Sequence, residues 1–164
     1  MAQSIVLSDA SPLIALALIN RLDLLQSLLG QVSITEVVKA EVLAEGSKPG
    51  EPAIAEAIKS NWIRVIADEW PEPQFTALDE GEASTLRAAV NVGAPCLVLI
   101  DERAGRAVAT ELGIAIAGTV GLIVQAKKRG LIPSARALFA ELLKKEFRVG
   151  AEMIREALVQ VGEA

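Results

Sequence analysis

The sequence predicts an α/β domain of three layers, with helices on both faces of a central parallel sheet. Three observations predict it. Strand-like runs and helical patterns alternate along the chain, and that order is how a layered α/β domain is written. The strand-like runs are continuous apolar stretches and do not alternate apolar with polar, as befits strands covered on both faces. The chain has 164 residues, 52% of them apolar and only 3% aromatic. That suits one domain with a sizeable core of Leu, Ile, Val and Ala.

The elements follow in order. Ile5 to Leu7 is the first strand candidate, and Pro12–Asn20 and Arg21–Leu29 read as helical, with Gly30 as a stop. Pro12 as a first helical residue would place the cap nearer Ser11 than Asp9. Val32 to Ile34 is a short strand, and Thr35 looks like the N-cap of a helix reaching about Ala44. The stretch 46–52, GSKPGEP, is a loop; a helix over Ala53–Ser60 leads to the strand Ile63–Ile66. Two prolines in DEWPEPQF, Asp68 to Phe75, break regular structure and mark a surface connection. Then come a helix over Asp79–Val92, a strand over Leu97–Ile100, a helix over Arg103–Leu112 and a strand over Ile114–Ala117 after Gly113. Helices over Thr119–Lys128, Ser134–Lys145 and Ala151–Val161 complete the chain. The expected domain runs 1–164, a core at about 4–132 and a helical extension at about 133–164.

Composition excludes several chemistries. There is no histidine, no tyrosine and one cysteine, Cys96. Ser-His-Asp and Cys-His catalysis are excluded, and a zinc site lacks its usual ligands. A lone cysteine excludes an internal disulfide framework and fits a reducing compartment. The N-terminus has no basic region typical of a signal peptide, and no apolar run is long enough to span a bilayer, so the expected location is the cytoplasm. The formal net charge of −5 argues against a nucleic-acid partner unless a local basic patch reverses it.

What remains is carboxylate chemistry, which favours Mg²⁺ or Mn²⁺. Asp9 ends the first strand, and Asp101–Glu102 follow the fourth; in parallel sheets the chemistry sits at these carboxyl ends. One of Asp101 and Glu102 is expected to cap the next helix, leaving the other free. Glu41 falls on the face defined by Val37, Val38 and Val42, either as an inward acid needing a cation or as an edge residue reaching solvent. Glu82 aligns with Leu86, Ala89 and Val90; the spacing from Asp79 to Glu82 is equally that of a capping box. Four acids so placed would repel one another unless they shared a cation. A divalent ion in such a pocket activates water and stabilises an in-line phosphoryl displacement.

At these residues the sequence resembles PIN-domain proteins, and more narrowly the prokaryotic PIN-like proteins related to VapC toxins. The matching pieces are SDASPLIAL (8–16), ITEVVKAEVL (34–43), LDEGEASTL (78–86), LVLIDERAGRAVATELGI (97–114) and GTVGLIVQAKKRGLI (118–132), in the family's order. The resemblance implies a parallel sheet flanked by helices and metal-dependent cleavage of RNA by three or four acids binding Mg²⁺ or Mn²⁺. It carries the metal-binding and catalytic roles to Asp9, Glu41, Glu82 and Asp101, with Glu102 as an alternative or additional metal ligand. Ser11 and Thr119 match small hydroxyl positions that orient a ligand or water.

Arg103 and Arg106, one turn apart after Asp101, could hold a substrate phosphate or pair with the nearby acids. The final two helices carry apolar stripes, Ala135, Leu138, Phe139, Leu142 and Leu143, then Ile154, Ala157, Leu158 and Val161. Core packing explains them best; a second copy or an antitoxin protein is the alternative occupant. The expected function is therefore a Mg²⁺- or Mn²⁺-dependent endoribonuclease of toxin type, against a PIN-like binding module without turnover.

Overall fold

A computed structural model describes residues 4–44 and 50–164. Most of the expected loop at 46–52 lies outside the described residues. The first strand, β1 (Ile5–Ser8), runs into α1 (Ala10–Leu18) and then α2 (Asp23–Leu29). Next come β2 (Val32–Thr35), α3 (Glu36–Val42), α4 (Glu51–Lys59) and β3 (Ile63–Ile66). The second half holds α5 (Glu80–Asn91), β4 (Cys96–Leu99), α6 (Arg103–Glu111), β5 (Ala115–Ala117), α7 (Thr119–Lys128), α8 (Ala135–Lys144) and α9 (Ala151–Gln160).

The five strands pair in the order β3-β2-β1-β4-β5, all parallel. The fold is thus the expected three-layer α/β architecture. The strand order reverses direction of growth at β1, the central strand. In such a sheet a crevice opens at the carboxyl edge where the winding changes hand. Asp9 stands there: its N–H donates to Leu99 O of β4 at 2.9 Å.

Two apolar clusters cover the two faces. The larger gathers Leu13, Leu16, Leu24, Leu25, Val38, Ile54 and Ile123 with Phe139, Leu142, Ala157 and Leu158. The last two helices therefore pack on the same core as the first half of the chain. Their outer residues Leu143, Met153 and Val159 are exposed. The smaller cluster places Leu86, Ala88 and Ala89 of α5 and Ala109 of α6 against Leu7, Val98 and Ile100. Val90, expected on the inward stripe of α5, is 44% exposed; the stripe ends one residue earlier.

The segment 68–75 is a connection, as expected, but a tethered one. Arg87 of α5 grips Asp68 with two parallel hydrogen bonds, Nε to Oδ1 at 3.1 Å and Nη2 to Oδ2 at 2.8 Å, and its Nη1 donates to Pro73 O. Asn91 Nδ2 donates to Glu72 O. Both partners of the ion pair are mostly shielded, with side-chain exposures of 10% and 15%. Removing one partner strands the other without its counter-charge, so Arg87→Ala is expected to cost about 2–4 kcal/mol of stability, read as a shift in the urea midpoint at unchanged slope.

Candidate acidic site

The site is built where α1, α3 and α5 begin or pass near the carboxyl edge of β1 and β2. The helix after β1 starts at Ala10, earlier than expected, with Asp9 in the N-cap position. Pro12 is thus the third helical residue, not the first. The correction has a physical reason: Pro fixes φ near the helical value anywhere in the first turn, where its absent N–H has no partner to lose. Asp9 holds the cap position in backbone only, because its side chain makes no cap hydrogen bond. Asp9 is 4% exposed, and its Oδ1 is buried with no hydrogen-bond partner.

Burial pushes the Asp9 carboxyl up from 3.8 to about 7. The Ala10 N–H offsets part of this, while the charges of Asp79, Glu41 and Glu82 add to it. The first cause is desolvation of the charged form; the second is like charge close by.

Gly81 shows how close. A Cβ built on it would meet Glu41 Oε1 at 2.9 Å, Asp9 Oδ1 at 3.0 Å and Asp79 Oδ1 at 3.6 Å. Three carboxylates from α3, the end of β1 and the start of α5 thus converge on the one residue without a side chain. Glu41 is exposed as a residue, so the inward-face reading of it is corrected. It sits at the edge of α3, above the buried Val38 and Val42, and extends its carboxylate over Gly81.

Asp79 caps α5, accepting the Glu82 N–H on Oδ1 at 2.8 Å. The capping box is real, yet it does not exhaust Glu82. That side chain is 3% exposed, and burial, then Asp79 and Glu102, raise its pKa above 4.5. Its Cδ lies 3.5 Å from where a Cβ would stand on Gly105 of α6. Sequence reasoning placed Asp79 as a cap alone and so missed that the same carboxylate borders the acidic pocket.

A buried hydroxyl bridge locks the two acid-bearing helices together. Ser84 Oγ donates to Gly81 O at 3.1 Å, so Thr35 is the donor of the 2.6 Å Thr35–Ser84 pair. Thr35 Oγ1 also caps α3 by accepting the Val38 N–H. Both hydroxyl residues are fully buried. Ser84→Ala leaves the Thr35 hydroxyl without its acceptor, an expected loss of about 1–3 kcal/mol measurable by chemical denaturation.

Asp101 is set differently from expectation. Neither it nor Glu102 caps α6: Glu102 holds that position without a side-chain bond. Asp101 instead faces the start of α7, where Thr119 N–H donates to Oδ1 and Thr119 Oγ1 to Oδ2, both at 2.7 Å. The first N–H groups of a helix lack internal partners and attract an acid; α7 begins beside Asp101 because β4 and β5 are neighbours. Thr119 thus holds both oxygens of one carboxylate. Arg106 Nη1 donates to Ile100 O at 2.9 Å. Among the described residues neither Arg103 nor Arg106 pairs with an acid, so the ion-pair reading of both is set aside. Ser11 is half-buried one residue after the start of α1.

The donor set suits a hard divalent ion in kind: carboxylates alone, one of them buried with an oxygen that nothing in the protein satisfies. Among the described residues no three of these side chains are drawn tightly enough to form a ready-made metal site.

An α/β protein with acids gathered at the carboxyl edge of a parallel sheet is the class that fold and site define. A family model described as a PIN domain matches residues 5–163. The chain belongs to the PIN-domain family, and the match takes in α8 and α9. Its fold is therefore of nuclease type, one that acts on nucleic acid and typically uses divalent metals. The chain has no match among curated proteins. No helix among the described residues is long and apolar enough to cross a membrane.

Proposed function

We propose that this protein is a Mg²⁺- or Mn²⁺-dependent endoribonuclease that hydrolyses phosphodiester bonds, and that it acts as the toxin of a toxin–antitoxin pair. The observation carrying the reading is the buried, unpartnered Oδ1 of Asp9 with Glu41, Asp79 and Glu82 around it. A buried anion so surrounded is costly in the protein alone and becomes favourable when a cation shares the pocket.

Asp9, Glu41, Glu82 and Asp101 would hold the ion, with Glu102 at the outer rim and Asp79 bordering the pocket. When bound, a divalent ion supplies positive charge for the phosphoryl oxygens and a more acidic water. The chain's own residues supply position. Thr119 fixes both Asp101 oxygens, leaving each with a further acceptor lone pair. The Thr35–Ser84 bridge holds α3 to α5, and with them Glu41 to Glu82. Burial of Asp9 excludes water from one side of the pocket, which strengthens every charge interaction within it.

RNA cleavage by wild-type protein with Mn²⁺, with EDTA, and by Asp9→Asn with Mn²⁺ tests the reading. Cleavage is expected only in the first arm. Equal cleavage by Asp9→Asn, or no cleavage of any RNA by wild type, would overturn it; the latter would leave a PIN-like binding module.

A further inference from the structure

The helix α9 closes on a left-handed glycine. Gly162, at φ 74°, donates its N–H to Val159 O at 3.2 Å, and Glu163 donates to Leu158 O at 2.8 Å. This paired closure satisfies two late carbonyls of α9 and turns the chain back. It delivers Glu163 to the start of α8. There the carboxylate accepts the Ser134 hydroxyl on Oε1 at 2.8 Å, the Ala135 N–H on Oε2 at 2.7 Å and the Arg136 N–H on Oε1 at 3.3 Å. Arg136 Nη2 completes the clasp by donating to Glu163 O. Ser134 Oγ itself accepts the Ala137 N–H. The three opening N–H groups of α8 are therefore all satisfied, two of them by a residue that follows α9. The Ser134 bond does most to hold the Glu163 carboxyl below its ordinary 4.5; desolvation opposes it, and the two N–H groups and the Lys127 charge assist.

The apolar anchorage of α9 is slight by comparison. Of its ten residues Ala157 and Leu158 are buried, with Ile154 half-buried against the same cluster. Met153 and Val159 are 50% and 68% exposed. The helix packs on α7 and α8, apart from the hydrogen-bonded ladder of the sheet. The segment 145–150 leads into it without helix or strand, and Glu146 there takes a left-handed φ of 61°. Elements with few buried apolar contacts open at a lower free energy than the whole domain. The same helix walls a cavity of about 440 Å³ that reaches Asp101 and Arg106; its contribution is Met153, Glu156 and Gln160.

We infer that α9 is a hinged wall of this cavity, pivoting on 145–150 and latched shut by Glu163 on the start of α8, so that it undocks as a unit while the sheet stays folded. The inference goes beyond the nuclease reading and does not depend on it, since it concerns the cavity beside Asp101 whatever that residue serves. Undocking uncovers Ala157, Leu158 and their partners in the larger apolar cluster and removes one side of the cavity.

Hydrogen exchange, resolved along the chain, reads the opening of each element. In wild type the amides of α9 are expected to exchange at least about 100-fold faster than those of β1 and β4 after correction for intrinsic rates. Their urea dependence should lie well below that of the sheet, because a local opening exposes little surface. Glu163→Ala is expected to speed α9 exchange by a further 3- to 30-fold or so, about the effect of losing a helix-capping side chain, and to leave β1 and β4 within about 2-fold of wild type. Glu163→Gln, which keeps an acceptor oxygen and loses the charge, should fall between the two. Exchange of α9 in wild type with the rate and urea dependence of the sheet overturns the hinge. Speeding by Glu163→Ala confined to the first turn of α8 makes Glu163 a cap and no latch, and overturns the inference as well. So does equal speeding in the sheet. The wild-type measurement decides the hinge even if either variant fails to fold.

Discussion

Asp9→Asn is expected to raise the melting temperature of the metal-free protein at neutral pH while abolishing its cleavage of RNA. The folded chain holds the Asp9 proton up to about pH 7, whereas the unfolded chain releases it near 3.8. A group whose folded pKa is raised binds its proton more tightly when folded. Its effect on stability is therefore absent at low pH, grows unfavourable as pH rises from about 3.8, and is complete above about 7. At about 1.4 kcal/mol per pKa unit, ionising this buried carboxyl costs roughly 2–4 kcal/mol above pH 7. Asparagine keeps the shape, carries no charge and forfeits no hydrogen bond at Oδ1, which has none. The expected gain is roughly 5–15 °C in melting temperature above pH 7, shrinking to nothing near pH 4. Thermal melts of both proteins in EDTA from pH 4 to 8 check this. A variant that melts below wild type throughout would show that the burial cost has been misassigned.

Addition of Mn²⁺ should reverse the order. A cation binds the ionised carboxylate and stabilises the fold by mass action, and its hold strengthens as pH rises because the proton no longer competes. Wild type should gain in melting temperature with Mn²⁺ and Asp9→Asn should not. Stability sacrificed at a functional group and recovered on ligand binding is the general pattern of strained sites.

The Asp9 case also shows which features were legible in the sequence. A continuous apolar run ending on an acid reads as a buried parallel strand with its carboxyl end at the site, and β1 and Asp9 stand so. All five strands and the helices between them were legible for the same reason: each changes the period of the apolar pattern. Asp79 was not legible as a pocket residue. Its spacing to Glu82 matches a capping box, and a cap fully accounts for such an acid until the fold brings Asp9 and Glu41 beside it. Asp101 was misread locally for a related reason. Sequence proximity suggested α6 as the helix it caps, but β5 lies next to β4 and delivers the start of α7 to it instead. Contacts made through sheet order leave no trace in local spacing. Gly81 and Gly118 belong to the same class, since only the folded geometry shows what a side chain there would strike.

Gly81→Ala turns that geometry into a second large effect, with stability and function moving apart. Gly81 is a buried residue in the first turn of α5, and its backbone is compatible with any L-residue. Alanine is favoured over glycine in a helix by up to about 1 kcal/mol, so the backbone alone predicts a small gain. The added methyl, however, enters the point where Glu41 Oε1 and Asp9 Oδ1 meet, at 2.9 and 3.0 Å. Glu41 is exposed, and room lies on its solvent side; Asp9 is buried at the end of β1 and cannot move far. Alanine should therefore leave the fold within about 1 kcal/mol of wild type while driving Glu41 off the pocket. With one carboxylate displaced, Mn²⁺ affinity measured by calorimetry is expected to fall by at least about 10- to 100-fold, the scale on which even the outer partners of a metal site contribute, and cleavage at limiting Mn²⁺ should fall with it. Excess Mn²⁺ should recover part of the activity, which loss of folded protein would not permit. A Gly81→Ala protein that binds Mn²⁺ like wild type would mean that the convergence of carboxylates on this glycine has no part in holding the ion.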